Sequence, residues 1–230
     1  TEKASAVLEV ERVGVWLFNE NQTQMINIDN YIASEKRHEP GGVLQEYEFI
    51  DEFNILKEAQ FVDAHDALTD PRTAGYVETY LKPNKITSML DAAIRAEGKS
   101  LGTLCFEHVD KPHRWRDDEI SFACRLADQV ALAIMQRERK HAEDMLQIII
   151  DKNPLSIQLL NTEGKTQHVN DSFIRLFGDR PPPDYSIFSD PLLIKQGLKH
   201  LLNQLYDGNV VKFPIFFHNP HEIYPEFEDT

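Results

Sequence analysis

From Asp117 to Asp151 the chain contains neither glycine nor proline, and the next breaker is Pro154. The stretch opens on three acidic residues, Asp117, Asp118 and Glu119, which complement the positive end of a helix dipole. An uninterrupted helix over 117–151 is about 50 Å long at ~1.5 Å per residue, and few single domains need one. Ala123, Ala127, Val130 and Ile134 follow one another at 4-3-4 spacing, and Met135, Ala142, Leu146 and Ile149 at 7-4-3 steps. That spacing predicts packing against a second helix, as in a parallel homodimer, with Ala123, Ala127, Val130, Ile134, Leu146 and Ile149 as the seam. The alternative is that one half of the helix lies on the sheet of its own domain and the other half caps a second one.

The residues before this helix set out an α+β plan. Apolar Ala4, Val7 and Leu8 put the end of a helix in 1–10, and strand-like runs at 13–18 and 25–32 flank the polar turn Asn19-Glu20-Asn21-Gln22. Phe49, Ile50, Phe53 and Leu56 give 45–58 a helical period. A short strand is expected at 60–62. Asp70-Pro71 reads as an N-cap followed by proline at the first helical position, in a helix that Pro83 ends. Two alternating strands, 86–95 and 100–109, surround the turn Glu97-Gly98-Lys99. Strand, strand, helix, strand, helix, strand, strand is an α+β order with an antiparallel sheet and flanking helices.

Beyond Pro154 a smaller unit is expected. It has strands at 156–160 and 166–169, a short helix started by Asn170-Asp171, a stiff triple proline at 181–183, an amphipathic helix over 191–206 and a third strand over 210–218. The domain reading is 1–142 for the first unit, 117–151 for the connecting helix and 152–230 for the second unit.

Charge limits the partners. A formal net charge of −14 repels phosphate backbones and anionic lipid, so nucleic acid and direct membrane contact are not expected. The longest apolar runs fall far short of the ~20 residues that span a bilayer. The chain begins Thr-Glu-Lys-Ala, which reads as an excised piece whose membrane anchor, if any, lies elsewhere. Cys105 and Cys124 are the only cysteines; two thiols without zinc spacing fit reduced, buried residues in a cytoplasmic protein. No metal site is expected, His218-Asn219-Pro220-His221 being the nearest approach to one.

The stretch DALTDPRTAGYVETYLKPNKITSMLDAAIRAEGKSLGTLCFEHVDKPHRWRDDEISFACRLADQVALAI resembles GAF domains of bacterial sensor kinases and chemoreceptors. The resemblance is carried by Ser88-Met89-Leu90-Asp91, Leu104-Cys105-Phe106-Glu107-His108-Val109, Arg114-Trp115 and the acidic helix start. Residues 144–230 resemble part of a PAS domain through MLQIIIDKNPLSIQLLNTEGKTQHVNDSFIRLFG. Such pairs imply a sensory input module of a two-component system, upstream of a histidine kinase or a cyclic-di-GMP enzyme.

No catalytic residue is expected within these residues. Neither phosphate-binding glycine motif occurs. Glu107 and His108 adjoin in a strand and face opposite sides, so they do not share a site; one of the two is a candidate to face a ligand pocket, and a structural role is expected for His108. His65-Asp66 and Asp70 read as capping, and Trp115 as the hydrophobic anchor of the long helix. Cys105 in a strand favours burial over covalent chromophore attachment. The expected site is a small-molecule pocket between the first sheet and its covering helices, lined by Trp16, Phe18, Tyr80, Met89, Asp91 and Cys105, each of which also suits an ordinary core. The ligand and any cofactor are unspecified. An alternative is a thiol-based GAF-type sulfoxide reductase, which needs Cys105 and Cys124 to meet and be accessible; another is a dimerisation scaffold without ligand.

Overall fold

The computed structural model describes residues 1–215. The chain divides into two compact units, Thr1–Glu138 and Arg139–Thr230.

In the first unit a short helix α1 (Glu2–Leu8) leads into β1 (Arg12–Phe18) and β2 (Gln24–Ile32). The polar turn closes this hairpin because the Asn19 carboxamide oxygen accepts from the Thr23 and Gln24 amides at 2.9 and 3.2 Å. Two short strands that the sequence did not signal, β3 (Arg37–His38) and β4 (Val43–Gln45), pair with the outer edge of β2. Helix α2 (Ile50–Glu58), β5 (Phe61–Ala64), β6 (Ile86–Ala96) and β7 (Lys99–Val109) follow. The seven-stranded sheet runs β3-β2-β1-β7-β6-β5, with β4 beside β2 as the seventh strand, and every pairing is antiparallel. Glu97 and Gly98 form the two-residue β6–β7 loop at φ 51° and 79°, the left-handed pair that a tight hairpin of this twist demands. Gly102 is required for a different reason: a Cβ there would run into the Trp16 carbonyl oxygen of the neighbouring strand.

Both faces of the sheet are covered, so the alternation in β6 and β7 sorts side chains between two cores and not between core and solvent. Leu90, Ala92, Ile94, Leu104 and Phe106 face α1 and the long helix α3 (Asp117–Asp151). Met89 and Cys105 face α2 together with Phe49, Phe53 and Leu56.

Three expectations for this unit are corrected. Ala123 and Ala127 are fully buried in the core beneath the sheet, and Val130 and Ile134 pack against the same core. Those four spaced positions therefore serve an intramolecular contact, since alanine lets a helix lie close on a sheet. Ile50 is 57% exposed, whereas Phe49, Phe53 and Leu56 are buried; a 3₁₀ turn at Glu46–Glu48 precedes α2. The segment after Asp70 is a 3₁₀ turn (Pro71–Tyr76) running into a π turn (Val77–Leu81), not an α-helix. Asp70 caps it as expected, accepting from the Arg72 amide at 2.8 Å. Inside the turn, the Gly75 amide donates to the Glu52 carboxylate of α2 at 2.5 Å, a tertiary bond that competes with the regular helical ladder.

In the second unit β8 (Gln158–Leu160) and β9 (Thr166–Val169) form an antiparallel pair, followed by α4 (Asp171–Phe177). Asn170, fully buried, accepts from the Phe173 and Ile157 amides at 2.9 Å each and donates to the Leu155 carbonyl at 2.8 Å. The amphipathic run over 191–206 is two helices, α5 (Pro191–Lys195) and α6 (Lys199–Tyr206). Gly197, at φ +78°, breaks it. The strand expected over 210–218 is absent from 210–215, where Val210 and Ile215 are exposed and find no partner strand. Its last three residues, and the His218–His221 pair, lie outside the described residues.

Candidate functional site

Strand parity assembles one polar cluster on the α2 face of the sheet. Arg12, Gly14 and Trp16 of β1 stand opposite Glu107, Cys105 and Thr103 of β7, and Asp91 of β6 stands opposite Cys105 from the other side. A glycine beside Cys105 leaves room in the middle of this face. Between it and the covering segments lies a cavity of about 30 Å³, lined by Trp16, Met25, Leu44, Leu56, Tyr76, Tyr80, Met89, Asp91, Thr103 and Cys105. That volume holds a group the size of one or two water molecules.

Five of the six residues expected to line a pocket, Trp16, Tyr80, Met89, Asp91 and Cys105, are thus brought together. Phe18 is not among them. It has the right parity but lies further along β1, where its ring meets Phe53 edge-on at 5.6 Å. Trp16 and Tyr80 form a second edge-to-face pair, 6.4 Å apart at 88°.

The electrostatics of the cluster centre on two buried acids. Glu107 is 1% exposed; it accepts from Arg12 Nε at 2.9 Å and from the Tyr80 hydroxyl at 2.7 Å, and the Cys105 thiol approaches it at 3.6 Å. Burial raises its carboxyl above the ordinary value, while Arg12 pulls it back. Asp91 has no such cation. Burial, reinforced by the charge on Glu107, pushes its carboxyl up to about 7, against hydrogen bonding from Cys105 and Thr103. Its Oδ1 has no hydrogen-bond partner among the described residues, and neither does the hydroxyl of Tyr76. Both belong to residues that line the cavity. Unpaired buried polar atoms are costly, and both belong to residues around one small void whose own wall is apolar.

Sequence reasoning passed over Tyr76, Thr103 and Arg12, and left open which of Glu107 and His108, neighbours on opposite faces, looks into a pocket; Glu107 is the one that shares its side with Cys105. His108 packs its ring on His113 at 4.2 Å and on Trp115 at 5.3 Å; burial, then His113, lowers its pKa. His65 accepts from the Trp115 amide at 3.2 Å, and Asp66 accepts from the Leu68 amide at 3.1 Å. Trp115 itself is 3% exposed and belongs to the core under α3. Among the described residues no three metal-ligating side chains gather.

The thiols are separated by the sheet. Cys105 belongs to the α2-side core, whereas Cys124 packs against the α1/α3 core. Burial, with Asp91 and Glu107 beside it, drives the Cys105 thiol well above its ordinary value, and burial also raises Cys124. Neither is poised as a thiolate.

The unit with this single antiparallel sheet and this element order matches the family model of the GAF domain over residues 1–134. The chain belongs to the GAF domain family. Solved structures agree at the level of fold. The blue-light-absorbing form of the PixJ GAF domain from Thermosynechococcus elongatus is 18% identical, with a TM-score of 0.52 over 64% of this chain and 86% of that one. The photoproduct state of GAF3 from Slr1393 of Synechocystis sp. PCC6803 is also 18% identical, with a TM-score of 0.52 over 61% and 91%. A far-red-absorbing protein with bound biliverdin IXα is 21% identical, with a TM-score of 0.50 over 60% and 86%. No curated protein matches the chain. In the GAF unit, the cavity lies on the sheet face opposite to the one that carries α3.

Proposed function

We propose that the GAF unit is a sensory input module that takes a small ligand into the cavity around Asp91 and passes its occupancy to α3. The observation that carries this reading is the apolar-walled cavity of about 30 Å³ against the α2 face of the sheet, in a core that also holds two buried atoms without partners among the described residues, Asp91 Oδ1 and Tyr76 Oη. A route to α3 is supported by β6 and β7, whose alternate residues line the cavity and support the helix. Packed interfaces respond to such shifts by moving as bodies. The bilin carried by one similar fold is not the ligand of this reading, because a void of about 30 Å³ is far below the ~300–1,000 Å³ of sites that enclose larger molecules.

We assign the GAF unit no catalytic step of its own. The reductase alternative is disfavoured by two protonated thiols on opposite faces of the sheet. The second unit reads as PAS-like through its order β8, β9, α4 and its Asn170 cap. The output, a histidine kinase or a cyclic-di-GMP enzyme, is assigned to residues outside this chain. Homodimerisation is assigned to the exposed Leu146 and Ile149, 60% and 57% accessible.

The test is a small-molecule screen for thermal stabilisation, read by tryptophan fluorescence, since Trp16 and Trp115 are the only tryptophans and both lie in the GAF unit. A ligand should raise the melting temperature and change amide exchange along 117–134. Stabilisers that bind without altering exchange there would sink the relay, and a screen with none would sink the pocket.

A further inference from the structure

We propose that the joint between β7 and α3 is a pH-operated latch: neutral His65 holds the Trp115 amide, and protonated His65 releases it and turns to the Asp63 carboxylate. The inference does not rest on the cavity. It concerns the point at which α3 is fixed to the GAF unit.

Three histidines border the joint, residues 110–116, and each is held differently. His65, in the turn after β5, takes the Trp115 amide hydrogen on Nδ1 at 3.2 Å. A ring nitrogen accepts only while it carries no proton, so this bond fixes His65 as the neutral ring with its hydrogen on Nε2. That Nε2 lies 3.9 Å from Asp63 Oδ2, beyond hydrogen-bond range. His113 Nε2 instead donates to the Glu119 carboxylate at 3.0 Å. His108 stacks on His113, with ring centres 4.2 Å apart and planes 30° from parallel, and its Nε2 is buried without a partner among the described residues. Burial and then His113 oppose a charge on His108, against the pull of Glu119; Glu9 and Glu11 line a groove beside it. His65 is thus the ring for which a proton exchanges one partner for another.

The side chain of His65 is 39% exposed, so protons reach it from solvent. A proton on Nδ1 would set one donor against another across the bond to Trp115. The charged groups around His65 are Asp63 from β5, Asp66 beside it in the turn, and Asp70 and Arg72 of the 3₁₀ segment. Arg72 bridges Asp63 and Asp70 at 3.0 and 2.7 Å, and one guanidinium between two carboxylates leaves a net negative charge to draw the imidazolium. Two neighbouring bonds involve no titrating atom: the His113 amide donates to Ser88 Oγ at 2.7 Å, and Ser88 Oγ donates to the His65 carbonyl at 2.6 Å. They persist, so the latch frees one bond and not the unit. The freed amide is next to that of Arg116, which donates to Glu119 at 2.8 Å as half of a capping box at the start of α3.

The experiment follows the nitrogen-15-labelled 230-residue chain by NMR, without ligand, from about pH 7.5 to 5.5, where histidine changes charge. It reads the ring nitrogens and the exchange of the Trp115 amide, corrected for the intrinsic pH dependence of exchange. We expect His65 Nδ1 to be unprotonated at the upper end. Protection of the Trp115 amide should fall about fivefold with the midpoint of the His65 ring, the loss expected for one hydrogen bond. His65→Asn, whose Oδ1 replaces Nδ1 and does not titrate, should keep the protection at every pH; His65→Ala should lack it at every pH. His108→Phe keeps a stacked ring and should leave the fall in place. A His65 that carries its proton on Nδ1 at pH 7.5, or a Trp115 protection that stays constant while His65 titrates, overturns the latch. So does a fall that persists in His65→Asn or vanishes in His108→Phe, which would assign it to the stacked pair. Should His65→Asn fail to fold, the matching midpoints and His108→Phe decide the matter. None of these outcomes bears on the ligand reading, since no ligand is present.

Discussion

Replacing Asp91 with asparagine keeps the shape of the side chain and removes one titrating group, which makes its cost measurable. The folded carboxyl sits at about 7 against an ordinary 3.8. Between these values the unfolded chain has lost the proton and the folded chain still binds it. Stability therefore falls as pH rises, starting near the unfolded value and levelling off above the folded one. Below the unfolded value both forms are protonated and the group contributes nothing. Over the window from about pH 4.5 to 7.5 the loss is about 3 kcal/mol, at ~1.4 kcal/mol per pH unit, less at the ends where titration is incomplete.

Urea unfolding of the natural chain and of Asp91→Asn, followed by tryptophan fluorescence, isolates this contribution in their difference. The variant should gain on the natural chain by about 3 kcal/mol across that window, whatever its absolute stability at pH 4.5. Slopes from other carboxylates cancel, apart from Glu107, which shares the cluster. Parallel pH profiles, with a difference constant to within about 0.5 kcal/mol, would refute the reasoning, since Asp91 would then ionise in the fold as easily as in water.

Four further substitutions test other parts of the fold. Gly102→Ala should cost about 2–3 kcal/mol in the same unfolding assay, as the added methyl displaces the Trp16 carbonyl; a loss under about 0.5 kcal/mol would mean the strands part freely. Ala127→Leu should destabilise the GAF unit by about 1–3 kcal/mol through overpacking. By contrast, Ile149→Glu should leave the unit's melting within about 0.5 kcal/mol while lowering the dimer fraction in sedimentation, and an unchanged dimer would remove Ile149 from the interface. Asn170→Ala should cost the second unit about 2–3 kcal/mol by orphaning the Ile157 and Phe173 amides, seen as faster exchange at those two positions with tryptophan emission unmoved.

Strand parity and turn chemistry made the sheet legible, because Asn19 and Glu97-Gly98 fix hairpins from local residues alone. The same parity puts Trp16, Met89, Asp91 and Cys105 on one face of the sheet. It gave no information on depth along the strand, which is why Phe18 was included and Glu107 was not. Tyr76 was out of reach for another reason: the 3₁₀-to-π segment that carries it depends on the Gly75–Glu52 bond between α2 and a distant turn. Spacing along α3 was equally ambiguous, since a sheet and a partner helix both select positions three and four residues apart. The usable signal was side-chain size. Ala123, Ala127 and Ala131 lie buried against the sheet, whereas the larger Leu146 and Ile149 remain exposed.

That difference in size also bears on how a guest in the cavity would be felt outside it. Asp91 lies between Leu90 and Ala92, and Cys105 between Leu104 and Phe106; all four neighbours share a core with the α3 alanines. A strand that rolls to admit a ligand on one face must move these four on the other, because the side chains of one strand cannot turn independently of its backbone. Long, flexible side chains on α3 would absorb such a movement by changing rotamer. Alanines have no rotamers to change, and close-packed interiors have little slack. On the ligand reading, the helix itself is then the element left to move, and its alanine face is what makes the contact stiff enough to carry the signal.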